Sequence, residues 1–192
     1  MIRDSAAVRG ATTSADDPIV AVRGLSRTYG QGRGAVAALT EVTFDAYPGS
    51  LVAITGRSGS GKTTLLNLIG GLDTPTAGTI LVGGRDVTRL TERERTELRR
   101  HTVAFIFQSF ALLPTLSALE NVALALHIAG VGARERDRRA RAALRMVGLG
   151  ARLDHRPFEL SGGEQKRVAV ARALATGAVL ACILGMSVPR RW

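Results

Sequence analysis

The chain has 192 residues and one cysteine, so it can bury the core of one α/β domain but has no disulfide framework. This excludes the small disulfide-rich secreted proteins and is typical of a reducing, cytoplasmic setting. The formal net charge is +10, yet most basic residues are mixed with acids and only 4% of residues are aromatic, which argues against a nucleic-acid partner. No apolar run reaches the roughly 20 residues of a membrane-spanning helix, so a membrane role requires a partner protein.

Strand and helix patterns alternate along the chain after a polar leader. Residues 1–17 carry charges of both signs without an apolar segment, and we expect them to be disordered. Thr91 is expected to cap the helix that follows it. The predicted strands are 19–25, 42–46, 51–55, 79–82, 103–107 and 178–183, and the predicted helices are 62–69, 91–100, 117–149 (interrupted at 130–132) and 161–175. Such alternation predicts a largely parallel sheet, with the helices of 117–160 as an inserted subdomain.

A glycine-rich segment follows the apolar run 51–55 and leads into the helix that begins at Lys62. It matches G-x-x-x-x-G-K-[ST], a loop whose glycines let backbone N–H groups point at phosphate oxygens. Lys62 would reach the β- and γ-phosphates, and the Thr63 hydroxyl would ligate Mg²⁺. A chance glycine-rich turn is the alternative, but only two of the 26 basic residues are lysines and one stands here. The predicted nucleotide-binding residues of this loop are Gly56, Ser58, Gly59, Ser60, Gly61, Lys62, Thr63 and Thr64.

A second motif, Leu160-Ser161-Gly162-Gly163-Glu164-Gln165, opens the helix 161–175. Ser161 is placed to cap that helix, and the two glycines leave its first N–H groups accessible, so its positive end can hold an anion. Taken alone, the motif is also an ordinary helix N-terminus. Together with the phosphate-binding loop it resembles the signature of the ATP-binding cassette (ABC) ATPases. The resemblance extends over roughly residues 19–176.

The resemblance implies a fold, a cofactor and an assembly. The fold would be an α/β P-loop NTPase cassette at 18–177, with a mostly parallel central sheet, N-terminal antiparallel strands and a helical subdomain at about 112–160. The cassette would bind ATP with Mg²⁺. Two cassettes would pair head to tail, so that the signature helix of each contacts the γ-phosphate held by the other. The residues that the resemblance assigns to this contact are Ser161, Gly162, Gly163 and Glu164.

Two further positions resemble functional residues of the family. Gln108 matches a glutamine that touches Mg²⁺ and relays nucleotide state to the membrane partner, although it would also suit the polar end of a strand. Tyr29 matches an aromatic residue that stacks on adenine, and the alternative is a half-buried strand tyrosine.

Segments 65–73 and 112–122 resemble one subgroup, the ATPases of macrolide-export and lipoprotein-release transporters. This implies a cytoplasmic subunit, peripheral on the inner face of the cell membrane, that couples ATP binding and hydrolysis to export or extraction of a substrate. A membrane permease would dock near Gln108 and the helices of 117–160.

The chain departs from the family pattern after Glu164. Members continue into a buried strand that ends in Asp-Glu-Pro, and ungapped counting places those two acids at Leu184 and Gly185. No Asp or Glu follows Glu164. Without a carboxylate to orient Mg²⁺ and another to polarise water, we expect hydrolysis to be lost and Gln108 to be the one remaining catalytic position.

The switch histidine and the last strands of the family pattern are also missing. The histidines of the chain, His101, His127 and His155, all precede the position expected for the switch. The segment 178–192 looks aberrant, and a change of reading frame near 176–178 explains it. A naturally shortened nucleotide-sensing protein is the alternative.

The sequence is consistent to different degrees with three functions. The first is the transporter subunit, and the second is a non-catalytic ATP-binding regulatory module. The third is a DNA-repair or chromosome-maintenance ATPase, which the short interval between Gln108 and Ser161, with neither heptads nor a cysteine cluster, disfavours.

Overall fold

Four strands form an antiparallel sheet in the N-terminal half of the molecule. The computed structural model describes residues 17–107 and 109–183. The sheet has the order β2-β1-β3-β4. Its strands are β1 (Val20–Tyr29), β2 (Val36–Ala46), β3 (Ala77–Val82) and β4 (Arg85–Asp86). The strands predicted at 19–25, 42–46 and 79–82 are confirmed as β1, β2 and β3. Each is longer than its predicted range.

Helices and one parallel strand pair make up the rest of the described chain. The helices are α1 (Lys62–Ile69), α2 (Glu92–His101), α3 (Ala118–Ile128), α4 (Ala133–Met146) and α5 (Gly162–Thr176), with 3-10 turns at Gly32–Gly34, Val87–Arg89 and Pro157–Glu159. Strand β5 (Val103–Ile106) lies parallel to β6 (Leu180–Ile183), with Val103 opposite Leu180 and Ile106 opposite Ile183. The interruption predicted at 130–132 separates α3 from α4, and the strand predicted within 178–183 is β6.

Three of these helices begin with the same reciprocal cap. In each, a hydroxyl accepts a hydrogen bond from the backbone N–H three residues later, and the glutamate at that position accepts one from the cap residue's N–H. The pairs are Thr91–Glu94, Ser117–Glu120 and Ser161–Glu164. These backbone hydrogen bonds hold the pKa of each glutamate below its usual value. The predicted caps Thr91 and Ser161 are therefore confirmed. A cap of this kind stabilises a helix by about 1 kcal/mol.

Two large hydrophobic clusters organise the fold. The first lies between the antiparallel sheet, α1 and α2, with Val22, Leu68 and Leu98 fully buried. The second lies between α3, α4 and α5, with Leu144 and Val168 fully buried. A smaller cluster packs the middle of α5 against the end of β5. The phosphate-loop helix and the signature helix therefore rest mainly on different clusters.

The strand predicted at 51–55 is wrong. Leu51 is 92% exposed and Val52 is 47% exposed, and only Ile54 packs against the first cluster. A strand requires a hydrogen-bonded neighbour, and within the described ranges no strand pairs with this segment. The glycine loop is therefore preceded by irregular chain, and the parallel sheet of the described residues consists of β5 and β6.

Several expectations concern residues that the structure does not describe. Gln108 lies outside the described residues, as do 1–16 of the expected leader and 184–192 of the aberrant tail. In the ranges 17–107 and 109–183, no helix is both long and apolar enough to span a bilayer.

The pairing of β5 with β6 predicts an unreactive thiol. Cys182 is 3% exposed in β6, and burial raises its pKa to about 12. We expect a thiol reagent to label it about 100-fold more slowly in the folded chain than in urea, since labelling requires an opening that costs about 3 kcal/mol. Stopped-flow absorbance with Ellman's reagent measures both rates.

A matched variant controls for reagent access. In a Cys182→Ser background, Val179→Cys places the thiol at a position that is 61% exposed, and it should react at the rate of an unfolded cysteine. If Cys182 in the unmodified chain is labelled as rapidly as the thiol of the Val179→Cys variant, the parallel pairing of β5 with β6 is contradicted.

Candidate nucleotide-binding site

The glycine loop enters α1 through residues in the left-handed region. Gly59 has φ of +80° and Gly61, the N-cap of α1, has φ of +83°. A Cβ atom on Gly61 would overlap the carbonyl oxygen of Ala38 and lie 2.7 Å from Cδ2 of Leu39. The end of the loop therefore packs directly on the backbone of β2, where only glycine fits.

Lys62 folds back over the loop that precedes it. Its Nζ donates hydrogen bonds to the carbonyl oxygens of Gly56 at 2.9 Å and Arg57 at 2.7 Å, and to Oγ of Ser60 at 3.3 Å. The first turn of α1 contains no acidic residue. The ammonium group and the positive end of the helix dipole therefore act at the same place, which favours an anion there.

The remaining loop residues leave this charge accessible. Gly56, Ser58, Gly59 and Ser60 are exposed, and so is Thr63 at the first turn of α1; Thr64 beside it is half-buried. Among the described residues, no group of three His, Cys, Asp or Glu side chains could hold a metal ion. The exposed Thr63 hydroxyl could supply one protein ligand to a Mg²⁺ ion, which usually keeps water and phosphate oxygens as its other ligands.

Tyr29 belongs to a cluster at the end of β1. Its hydroxyl donates to Oδ2 of Asp73 at 2.7 Å, and Arg27 binds the same carboxylate through Nε at 3.0 Å and Nη2 at 2.7 Å. The Arg27 guanidinium also lies 4.4 Å from the centre of the Tyr29 ring. Partial burial raises the pKa of Asp73, but hydrogen bonds from Tyr29 and Thr74 and the charge of Arg27 outweigh it, so the pKa lies below its usual value.

Strand pairing places this cluster beside the loop. Gly61 packs against Ala38 and Leu39 of β2, and in the β1–β2 pair Leu39 lies opposite Arg27 and Val36 opposite Tyr29. Neighbouring strands are about 4.8 Å apart. The end of the glycine loop and Tyr29 are therefore both held against residues 36–39 at the start of β2.

The signature motif forms a helix cap with two exposed glycines. Glu164 accepts hydrogen bonds from the backbone N–H and the hydroxyl of Ser161, both at 2.8 Å, and lies 3.5 Å from Arg152. Gly162 and Gly163 are exposed at the start of α5. Because α5 packs mainly on α3 and α4, the structure does not place the signature on the cluster that carries the phosphate loop.

The sequence reasoning missed Arg27 and Asp73. Arg27 stands two residues before Tyr29 on one strand, and the period of two could have placed both on one face. Asp73 is far from Tyr29 along the chain, and no local pattern indicates that the two side chains meet.

Arg172 was also missed. It reaches from α5 to the segment after residue 108, where its Nη1 donates to the carbonyl of Ala111 at 2.7 Å and its Nη2 to that of Phe110 at 2.9 Å. Both of these residues have positive φ, +47° and +59°. Burial lowers the pKa of the guanidinium, which still remains charged at neutral pH. A partly buried arginine thus holds two left-handed, non-glycine residues in place.

Comparison with known proteins agrees with this geometry. The family model described as ABC transporter matches residues 39–183. The lipoprotein-releasing system ATP-binding protein LolD 2 of Caulobacter vibrioides is 52% identical over 159 residues, which cover 83% of this chain and 70% of that protein. The macrolide export ATP-binding/permease protein MacB of Brucella melitensis is 49% identical over 160 residues, covering 83% of this chain and 25% of that protein.

A solved structure is similar as well. It is a dimeric ATP-binding cassette in a post-hydrolysis state, bound to ADP and Pi. The two folds agree with a TM-score of 0.77 at 41% sequence identity, covering 85% of this chain and 72% of that one.

The contact of Gly61 with β2 predicts an asymmetry between two glycines of the loop. Gly61→Ala should destabilise the fold by about 3 kcal/mol or more, because strain in the left-handed region is added to overlap with a backbone oxygen. Gly59→Ala has a similar φ but open space around the added Cβ, and should cost about 1 kcal/mol. Urea unfolding followed by circular dichroism compares the two, and equal losses would contradict the packing described here.

Proposed function

Because this chain belongs to the ABC transporter family, we propose that it is the ATP-binding subunit of a lipoprotein-release or macrolide-export type transporter, working with a membrane permease that exports or extracts a substrate. The observation that carries this proposal is the loop at Gly61 and Lys62. At this loop the Lys62 ammonium lies beside the N-terminus of α1, and the close packing of Gly61 on β2 holds the two together.

The cassette, at 18–177, would hold Mg-ATP through three contacts. The N–H groups of the loop and Lys62 bind the β- and γ-phosphates, displacing the loop's own carbonyls from the ammonium. The hydroxyl of Thr63 ligates Mg²⁺, with Gln108 as a second ligand. Tyr29, 40% exposed, stacks on adenine. The ion, when bound, neutralises charge on the phosphates.

We propose a head-to-tail pair of cassettes as the working assembly. The signature residues Ser161, Gly162, Gly163 and Glu164 then approach the γ-phosphate held by the other copy. Two observations support this arrangement. The glycines are exposed at the positive end of a long helix, and that helix rests on a different cluster from the phosphate loop of its own chain.

A cleft of about 360 Å³ supports the position proposed for the permease. It lies between α2, β5, α3 and α5, and its walls include Arg99, Phe105, Ile128 and Arg172. Its walls include β5, which ends two residues before Gln108 in the sequence, and α3, one of the helices of 117–160 where docking is expected. The subunit would then sit on the inner face of the cell membrane.

We further propose that this polypeptide binds ATP without turning it over. Strand β6 ends at Ile183, and the next two residues in the sequence are Leu184 and Gly185, where the family pattern has its acids. The lack of acids at these two positions also favours the alternative function, a non-catalytic ATP-binding regulatory module. The two differ in one property, since only the transporter subunit binds a permease.

The chain's lysine content provides a matched test of ATP binding. Lys62→Ala should weaken Mg-ATP binding by about tenfold or more, the effect of losing a charge-assisted contact to phosphate. Lys166→Ala removes the other lysine, on α5, and should change the affinity by less than about twofold. Isothermal titration calorimetry measures both, and equal affinities for the two variants would refute the role of the loop.

Loss of hydrolysis predicts a second result with the same protein. Phosphate release from Mg-ATP should not exceed that of the Lys62→Ala variant, because neither can position the attacking water. A turnover that Lys62→Ala abolishes would show that the acids are replaced by other groups.

A further inference from the structure

We propose that Asp73 and Arg27 are positioning residues for the nucleotide base, which hold the Tyr29 ring in one orientation with a single face presented to adenine. This inference rests on the function proposed above and adds to it two residues on which the stacking depends. It concerns the chain's affinity for the base part of the ligand and not for its phosphates.

The hydroxyl of Tyr29 fixes the direction of the ring. A tyrosine on the surface can rotate about two side-chain bonds, and ordering it costs free energy when a ligand stacks on it. Here the 2.7 Å hydrogen bond to Asp73 restrains rotation about the Cα–Cβ bond, and the Arg27 guanidinium against the ring face restrains rotation about the Cβ–Cγ bond, before any ligand arrives. Stacking then requires less ordering, so the affinity for a base is higher.

Arg27 covers one face of the ring. Its guanidinium lies 4.4 Å from the ring centre while its Nε and Nη2 grip Asp73. Tyr29 nevertheless remains 40% exposed, so a flat base has access to the ring face that Arg27 does not cover. Arg27 also neutralises the Asp73 carboxylate, which would otherwise repel a triphosphate nearby.

The chain segment that carries Asp73 is itself held firmly by α2. Arg99 donates to the carbonyl of Gly71 at 2.8 Å, and Arg95, only 9% exposed, donates to the hydroxyl of Thr74 at 2.9 Å. The backbone N–H of Thr74 donates to Oδ1 of Asp73 at 2.7 Å. The anchor of Tyr29 is thus fixed to a helix and not to a free loop, as precise positioning requires.

The test compares a ligand that has a base with one that lacks it. Tyr29→Phe keeps the ring and removes the anchoring hydroxyl. It should weaken Mg-ATP binding about three- to tenfold, the effect of one hydrogen bond, and leave binding of magnesium tripolyphosphate within about twofold. Calorimetric titration measures both ligands, and Tyr47→Phe, on the other tyrosine of the chain, should change neither.

A double-mutant cycle identifies the partner. Asp73→Ala should weaken ATP binding in the unmodified chain, and should add little in the Tyr29→Phe background if both act through the same hydrogen bond. Thermal unfolding of each variant shows whether it folds, and Tyr29→Phe alone suffices if Asp73→Ala does not.

The remaining outcomes overturn the inference in distinct ways. Unchanged ATP affinity in Tyr29→Phe, with binding still weakened in Lys62→Ala, rejects the positioning role and leaves the proposed function standing. Equal weakening of ATP and tripolyphosphate indicates general loosening of the site and rejects it too. If the unmodified chain binds neither ligand, the proposed function and this inference both fail.

Discussion

The contact between Gly61 and the backbone of β2 is the constraint on which the site depends. The left-handed glycine lets the start of α1 approach Ala38 so closely that no side chain fits between them. This fixes the positive end of the helix relative to the β1–β2 pair. The same pair carries Tyr29, so one steric contact sets the distance between the two ends of the proposed ligand.

The hydrophobic clusters divide the chain into parts with different tasks. The first supports the phosphate loop and the Tyr29 cluster, and the second supports the signature helix. Arg172 and the small cluster at the end of β5 connect the two, because they tie α5 to the segment that follows residue 108. Within the described residues, α5 and β5 are therefore where the two parts of the chain are joined.

Local patterns in the sequence were sufficient for most elements, because caps and periodicity are properties of neighbouring residues. Thr91 and Ser161 cap the helices they were expected to cap, and the break at 130–132 separates two helices. The apolar run 51–55 was misread since a strand depends on a partner elsewhere in the chain. The link between Tyr29 and Asp73 was missed for the same reason: their contact exists only once β1 and the segment after α1 have folded together.

The geometry also divides the arginines of this lysine-poor chain into two groups. Arg27 and Arg172 each use the forked guanidinium to grip two acceptors, and Arg172 does so while partly buried. Arg138 and Arg141 on α4 also contact both oxygens of a carboxylate, but they do so at the exposed surface and with an acid one turn away on the same helix. Drift in genomic composition toward lysine would cost little stability on α4, since an exposed ion pair contributes little whichever cation forms it. At Arg27 and Arg172 the same drift would meet purifying selection, because a lysine has no fork.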